Sequence, residues 1–411
     1  KNKLNKDVVT MSKKTKKASE LQGINHLIVD ATIGVTDLVE AMHNQIVHPP
    51  LLPSTNVQNL ITKIANITFK NIRWGTLFVG KTLDKTLGLL NPALGNLKSS
   101  DKKDFILSIL NGVIGDYLAE KENPLEIEMH FVHQSKKITI DKKSIKNSYS
   151  NISSKIILMV HGSCMNANLW TRKNHNHGEI LAKETSETLI YLNYNSGKHV
   201  STNGKEFNEL LEKLTKNWPV PVEEITIINH SMGGLVTRSA LYYGEQGQKS
   251  WTNLTKKIVF LGTPHHGSHI ERKGNYLDLI LESVPYAKPF AKLGKIRSAG
   301  VTDLRYGNLV DEDWQHKNRF ELKKEHKKHI PLTENIKYYS IAAVTGKEKS
   351  YIKNRFFGDS LVSVKSALGK HKNRDKNLLF KKENTFTVYE NNHSDLLSNP
   401  KITEILKNWL Q

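Results

Sequence analysis

Three residues far apart in the chain, Ser231, Asp359 and His393, are of the types and in the chain order that nucleophilic acyl chemistry uses. Ser231 stands in EITIINHSMGG, residues 224–234, where the run Ile225, Thr226, Ile227, Ile228 reads as a strand and Leu235 to Leu241 continues with helical character. The stretch predicts strand, tight turn, helix. Such a turn forces its central residue into a strained conformation and lifts the side chain above the sheet edge. Gly233 lets the strand and helix backbones approach closely. The usual pattern is G-x-S-x-G, and here Asn229 replaces the first glycine. Asparagine is small and tolerates positive φ, so the pattern is loosened and not lost. The competing role for Ser231 is helix N-cap in an ordinary strand-to-helix turn.

A nucleophilic serine needs a base, an acid that orients the base, and two donors for the oxyanion. Asp359 lies in FGDSLV, a tight loop soon after an expected strand ending near Ala343; an aspartate serving only its own turn is the alternative. His393 lies in NNHSDLL, directly after the last expected strand and before the C-terminal helix. The first oxyanion donor is expected to be the Met232 N–H, which follows the nucleophile. The second is expected in His161-Gly162-Ser163, as the Ser163 N–H, with Cys164 as the alternative.

These loops need strands to carry them. Strands are expected at Lys155 to Val160, Leu189 to Tyr194, Glu224 to Asn229, Lys257 to Leu261, Ile336 to Ala343 and Thr385 to Tyr389, with a helix near Lys205 to Trp218 closed by Pro219. This alternation predicts an α/β fold, a mostly parallel central sheet with helices on both faces. Glu126 to Val132 and Lys137 to Ile140 alternate as an antiparallel pair entering that sheet, and residues 147–154 read as a loop.

Ahead of the sheet, apolar residues at spacings of three and four predict helices over Ile24 to Val47, Leu60 to Leu90 and Phe105 to Leu118. The expected organisation is a basic flexible arm at 1–20, a helical N-terminal region at 21–122, and an α/β domain at 123–411 with a cap insertion at about 264–335. That insertion holds a helical stretch, Tyr276 to Leu281, and the basic run Lys323 to Lys328, and is read as a substrate-facing roof. Ile72 to Leu90 joins an apolar face to Lys81 and Lys85, the pattern of a membrane-surface or lid element, against simple packing on the α/β domain.

Together MVHGSCMN, NHSMGG, FLGTPHHGS, GDSLVSV and NNHSDLL resemble the bacterial lipase and esterase group of α/β-hydrolases related to GPI inositol-deacylase-like proteins. The resemblance covers roughly residues 155–411, with the five motifs in family order. It implies an α/β-hydrolase fold and hydrolysis of carboxylic esters, with Ser231 as nucleophile, Asp359 as acid and His393 as base. It also implies that Thr263-Pro264-His265-His266-Gly267 shapes the site without supplying the base.

Composition bounds the alternatives. The formal net charge is +20, from lysine spread over the whole chain; without a nucleic-acid motif it points to contact with anionic membrane surfaces and not to nucleic acid. No run of 18 apolar residues reads as a membrane span. One cysteine, Cys164, precludes an internal disulfide, and the N-terminus lacks the apolar core of a secretory signal. The expected location is cytoplasmic or peripheral to a membrane, or outside the cell after loss of a signal. His175, His177, His199, His265 and His266 are weak candidates for zinc, because their spacing does not match structural zinc sites, and no metal or cofactor is expected. Cys164 is a weak alternative nucleophile. The function expected is a serine carboxylester hydrolase on an acyl ester, lipid or polyester. The alternatives are an acyltransferase on the same triad and a non-catalytic lipid-surface binding protein.

Overall fold

The computed structural model describes residues 101–268, 297–317, 327–347 and 358–410. The expected arm at 1–20, the helices before residue 101, the stretch 72–90 and the helix at 276–281 lie outside the described residues.

The strands are β1 (His130–His133), β2 (Lys136–Lys137), β3 (Lys155–Val160), β4 (Thr188–Asn193), β5 (Glu224–His230), β6 (Thr255–Leu261), β7 (Lys337–Val344) and β8 (Thr385–Tyr389). They form one eight-stranded sheet in the order β2-β1-β4-β3-β5-β6-β7-β8. Every pairing from β4 to β8 is parallel, and β1 is antiparallel to both β2 and β4. The antiparallel pair thus forms one edge of an otherwise parallel sheet, the α/β-hydrolase arrangement.

The helices are α1 (Asp101–Glu120), α2 (Lys142–Ser148), α3 (His177–Thr185), α4 (Val200–Asn217), α5 (Met232–Gln246), α6 (Ser250–Leu254), α7 (Ala299–Asp303), α8 (Val364–Ala367) and α9 (Pro400–Leu410). Strand residues are apolar on both faces because helices cover both. Ile157, Met159, Ile228, Val259, Leu261, Ile341 and Ala343 point one way and pack with Leu181 of α3 and Ile402, Leu406 and Leu410 of α9. Side chains alternate along a strand, so Phe260 faces the other side, where a Cβ at Gly234 of α5 would come within 2.7 Å of its ring. Helix α4 packs on α5 through Gly204, whose Cβ would sit 2.2 Å from Ser239 Oγ.

Two expected strands are shorter than their alternation indicated. Asn111 of α1 takes the Ile127 N–H at 2.9 Å and gives its Nδ2–H to the Leu125 carbonyl at 2.8 Å, so these residues are bonded to a helix before β1 begins. Asp141 accepts the Ser144 N–H at 2.8 Å and starts α2 where the second strand was expected to end. Helix α3 was not expected at all; its signal is the N-cap Asn176, which accepts the Glu179 N–H at 3.2 Å.

Candidate active site

The chain turns sharply between β5 and α5. Ser231 has φ 52° and ψ −123°, a left-of-normal backbone for a residue with a Cβ, and its side chain makes no helix-capping hydrogen bond. The N-cap role weighed for it is therefore unfilled. The Ser231 N–H is tied to the Leu261 carbonyl at the end of β6, 2.9 Å away. The strained turn is anchored on the neighbouring strand.

Gly233 has no room for a side chain, since a Cβ there would lie 2.5 Å from both the Val160 and His161 carbonyl oxygens. The close approach is thus to the end of β3, more than to the strand that leads into the turn. Asn229 keeps ordinary strand backbone and is fully buried. Its Nδ2–H donates to the Val259 carbonyl at 3.0 Å, and its Oδ1 accepts from Thr237 of α5. Asparagine here brackets three elements, work that its tolerance of positive φ did not foreshadow.

Asp359 and His393 arrive from loops after β7 and β8. His393 Nδ1–H donates to Asp359 Oδ2 at 2.6 Å, with both side chains buried. The other carboxylate oxygen accepts the Leu361 and Val362 N–H groups at 3.0 and 2.7 Å, and the His393 N–H meets the Asp359 carbonyl at 3.2 Å. Asp359 therefore serves its own turn and the histidine together. With Nδ1–H on the carboxylate, Nε2 carries the lone pair, and it finds no hydrogen-bond partner among the described residues.

The base loop is secured from several sides. His230 stacks at a tilt on His393, ring centres 4.8 Å apart. His177 donates Nε2–H to the Leu396 carbonyl at 2.9 Å, and Lys173 pairs with Asp395 at 3.1 Å. A Cβ at Gly262, where φ is +63°, would meet His393 Cε1 at 2.9 Å, so only glycine leaves the ring its place at the end of β6.

Across the turn lies the loop after β3. A Cβ at Gly162 would stand 3.0 Å from Ser231 Cβ, which places Ser163 beside the serine. His161 is fully buried, stacked on Tyr194 with ring centres 4.3 Å apart, and burial draws its pKa down to about 4. The neutral ring donates Nδ1–H to the Gly162 carbonyl at 2.8 Å. A trans peptide points its N–H opposite its carbonyl, so this bond also aims the Ser163 N–H. Neither the Ser163 nor the Met232 N–H donates to a described residue. The Cys164 N–H, the alternative donor, is occupied by Ser196 Oγ at 3.0 Å, which removes it from contention.

Thr263 to Ser268 packs as structure. His266 Nε2–H donates to the Gly369 carbonyl at 3.0 Å, and Ser268 Oγ donates to the Leu361 carbonyl at 2.6 Å, bracing the Asp359 loop. His265 lies against Arg238, 3.4 Å from its Nη1. His175 and His177 share Thr403 Oγ1 at 2.7 Å each, and His199 pairs with Asp303 at 2.9 Å. The histidines weighed for zinc are thus dispersed, and among the described residues no three or more His, Cys, Asp or Glu side chains form a group able to hold a metal ion. Burial pushes the Cys164 thiol up to about 12, far from nucleophilic.

Sequence reasoning overlooked His230, His177 and Asn229 as supports. Each is an ordinary polar residue whose partner comes from a distant segment, and only the motif position of His230, next to the serine, was a signal.

The family model of the PGAP1-like alpha/beta domain matches residues 151–342. This chain carries a PGAP1-like domain. The matched PGAP1-like span contains Ser163, Ser231 and Met232, whereas Asp359 and His393 lie beyond it. Solved structures share the α/β-hydrolase fold at low identity. The mature-form lipase of Bacillus licheniformis is 18% identical, covering 62% of this chain and 91% of its own, with a TM-score of 0.41. A metagenomic carboxyl esterase is 14% identical over 63% of this chain and 76% of its own, TM-score 0.36. An esterase of Pyrococcus furiosus is 15% identical over 63% and 83%, TM-score 0.34. No curated protein matches the chain. Among the described residues no helix is long and apolar enough to cross a membrane.

Proposed function

We propose that this PGAP1-like chain is a serine carboxylester hydrolase. The observation that carries the reading is the buried Asp359–His393 hydrogen bond of 2.6 Å, with Nε2 left as acceptor, beside a serine held at φ 52° on the turn after β5. In this mechanism Ser231 Oγ attacks the ester carbonyl carbon as its proton passes to His393 Nε2. Asp359 keeps the ring in that tautomer and stabilises the imidazolium. The C–O bond to the alcohol then breaks, His393 returns the proton to the leaving oxygen, and an acyl-enzyme remains. Water repeats the sequence and frees the acid.

The Ser163 and Met232 N–H groups supply the oxyanion site. Met232 is the first residue of α5, where helix N–H groups have no partner within the helix and the dipole favours negative charge. Each such donor contributes about 3 kcal/mol to the transition state. The +20 net charge favours ester substrates presented at anionic lipid surfaces, by about 1 kcal/mol for each basic group near the surface.

The test is hydrolysis of p-nitrophenyl esters of increasing chain length by wild type, Ser231→Ala and His393→Ala. Turnover in wild type that vanishes in both variants supports the mechanism, and the chain-length profile separates esterase from lipase. Activity retained in Ser231→Ala, or a wild type inert to esters and to a fluorophosphonate probe, overturns it. Acyl transfer to an added alcohol in preference to water would reassign the enzyme as an acyltransferase.

A further inference from the structure

Helix α1 reaches the oxyanion side of the site through its smallest residues. A Cβ at Gly112 would lie 2.2 Å from Cys164 Sγ and 2.9 Å from Cys164 Cα, so only hydrogen fits between helix and loop. Ser108, one turn earlier, gives its hydroxyl to the Phe105 carbonyl at 2.7 Å and lies 3.4 Å from the Cys164 carbonyl. From the opposite side Ser196 Oγ accepts the Cys164 N–H at 3.0 Å.

Ser196 is itself held by the same helix. Its neighbour Asn195 donates Nδ2–H to the Gly115 carbonyl at 2.8 Å and accepts the Gly197 N–H at 3.0 Å. A Cβ at Gly115 would fall 1.8 Å from Asn195 Oδ1. Ser298 closes the junction by donating to the Gly112 carbonyl at 2.7 Å.

Cys164 needs this grip because its φ is +58°, a left-handed backbone that a residue with a side chain rarely keeps unaided. It directly follows Ser163, the oxyanion donor of the hydrolase reading on which this inference rests. His161 sets the Gly162–Ser163 peptide plane from one side. The Cys164 N–H, fixed by Ser196, sets the Ser163–Cys164 plane from the other. Only with both planes held is the Ser163 N–H locked in direction.

We infer that α1 is a positioning element for the oxyanion donor, acting through Gly112 and through the Asn195–Ser196 pair on Cys164. A donor of this kind gains strength only as charge develops on the substrate oxygen. Release of the loop is therefore felt in kcat, while substrate binding is spared.

The experiment measures p-nitrophenyl butyrate kinetics and thermal melting on the full chain. The variants are Ser231→Ala, Ser196→Ala, Gly112→Ala and Gly112→Ala combined with Cys164→Gly. Ser196→Ala is expected to lower kcat at least fivefold with KM within twofold of wild type and an unshifted melt. Gly112→Ala is expected to lose more. Adding Cys164→Gly is expected to regain at least threefold in kcat, because glycine removes the obstructing Sγ and suits positive φ. Should Gly112→Ala unfold, Ser196→Ala decides alone. If Ser231→Ala is inactive but kcat of Ser196→Ala stays within twofold of wild type, the positioning role is overturned and the hydrolase reading stands. A wild type that neither turns over the ester nor reacts with a fluorophosphonate overturns both.

Discussion

His230 donates its Nε2–H to the main-chain carbonyl of His393, 3.2 Å away, so the residue before the elbow serine grips the backbone of the candidate base. Burial and the neighbouring His393 hold the His230 pKa well below its usual value, which keeps the ring neutral and its single donor on that carbonyl. Serine and base are thereby registered through one imidazole. Replacing His230 by Gln, which retains a donor, is expected to reduce kcat less than replacing it by Phe, for which a loss of about tenfold corresponds to roughly 1.4 kcal/mol. Ester kinetics on the two variants check this, and equal activity in both would show that the bond does not position His393.

Asp359→Asn isolates the charge from the fold of its loop. The amide oxygen still accepts the Leu361 and Val362 N–H groups, so the melting temperature is expected to stay near wild type. The amide presents a donor to His393 Nδ1 and favours the wrong tautomer, and kcat is expected to fall on the order of 10⁴-fold. A decline of only a few fold would remove Asp359 from the mechanism.

Gly233→Ala places a methyl 2.5 Å from two fixed carbonyl oxygens at the end of β3. Backbone cannot yield as a flexible side chain does, so a destabilisation of about 1–3 kcal/mol is expected, read as a shift of the denaturant midpoint. The displaced helix start also carries the Met232 N–H, and activity is expected to fall further than stability alone would explain.

Asn229→Gly restores the usual elbow pattern and should harm the protein. It removes a bond to the Val259 carbonyl and another to Thr237, both buried, at a cost of about 1–3 kcal/mol. Denaturant unfolding checks the loss. A variant as stable as wild type and more active would show that the asparagine is a compromise and not a bracket.

Stability is expected to fall in mild acid. Burial lowers the folded-state pKa of His161 and His177 to about 4, against 6.5 for the free side chain. Between these values the unfolded chain binds the protons, so stability is full above pH 6.5 and declines as pH falls toward 4. Each residue removes on the order of 2 kcal/mol by pH 5. Melts at pH 7.5 and 5 measure the sum, and His177→Gln, which keeps a donor for the Leu396 carbonyl, should flatten the dependence.

Much of the scaffold was legible because parallel strands buried on both faces are written as apolar runs. The span expected for β3 coincides with the strand, as does that of β8, and β5 extends one residue further, to His230. The errors fell where a side chain competes for backbone. Asn111 diverts residues 125 and 127 from β1, and Asp141 opens α2. Both partners are polar residues without a periodic signal.

The order of Ser231, Asp359 and His393, the strand–turn–helix around the serine, and the glycines of the β3 and β5 turns are properties of the sequence alone, because local backbone demands and alternating hydrophobicity act over a few residues. The 2.6 Å contact of Asp359 with His393, and the occupation of the Cys164 N–H by Ser196, arise only in the tertiary structure. So do the hold of His230 on the base loop and the seat of α1 against Cys164. Such contacts join segments separated by tens to hundreds of residues. Their partners are chosen by which strand ends the sheet places side by side, an ordering that no local pattern encodes.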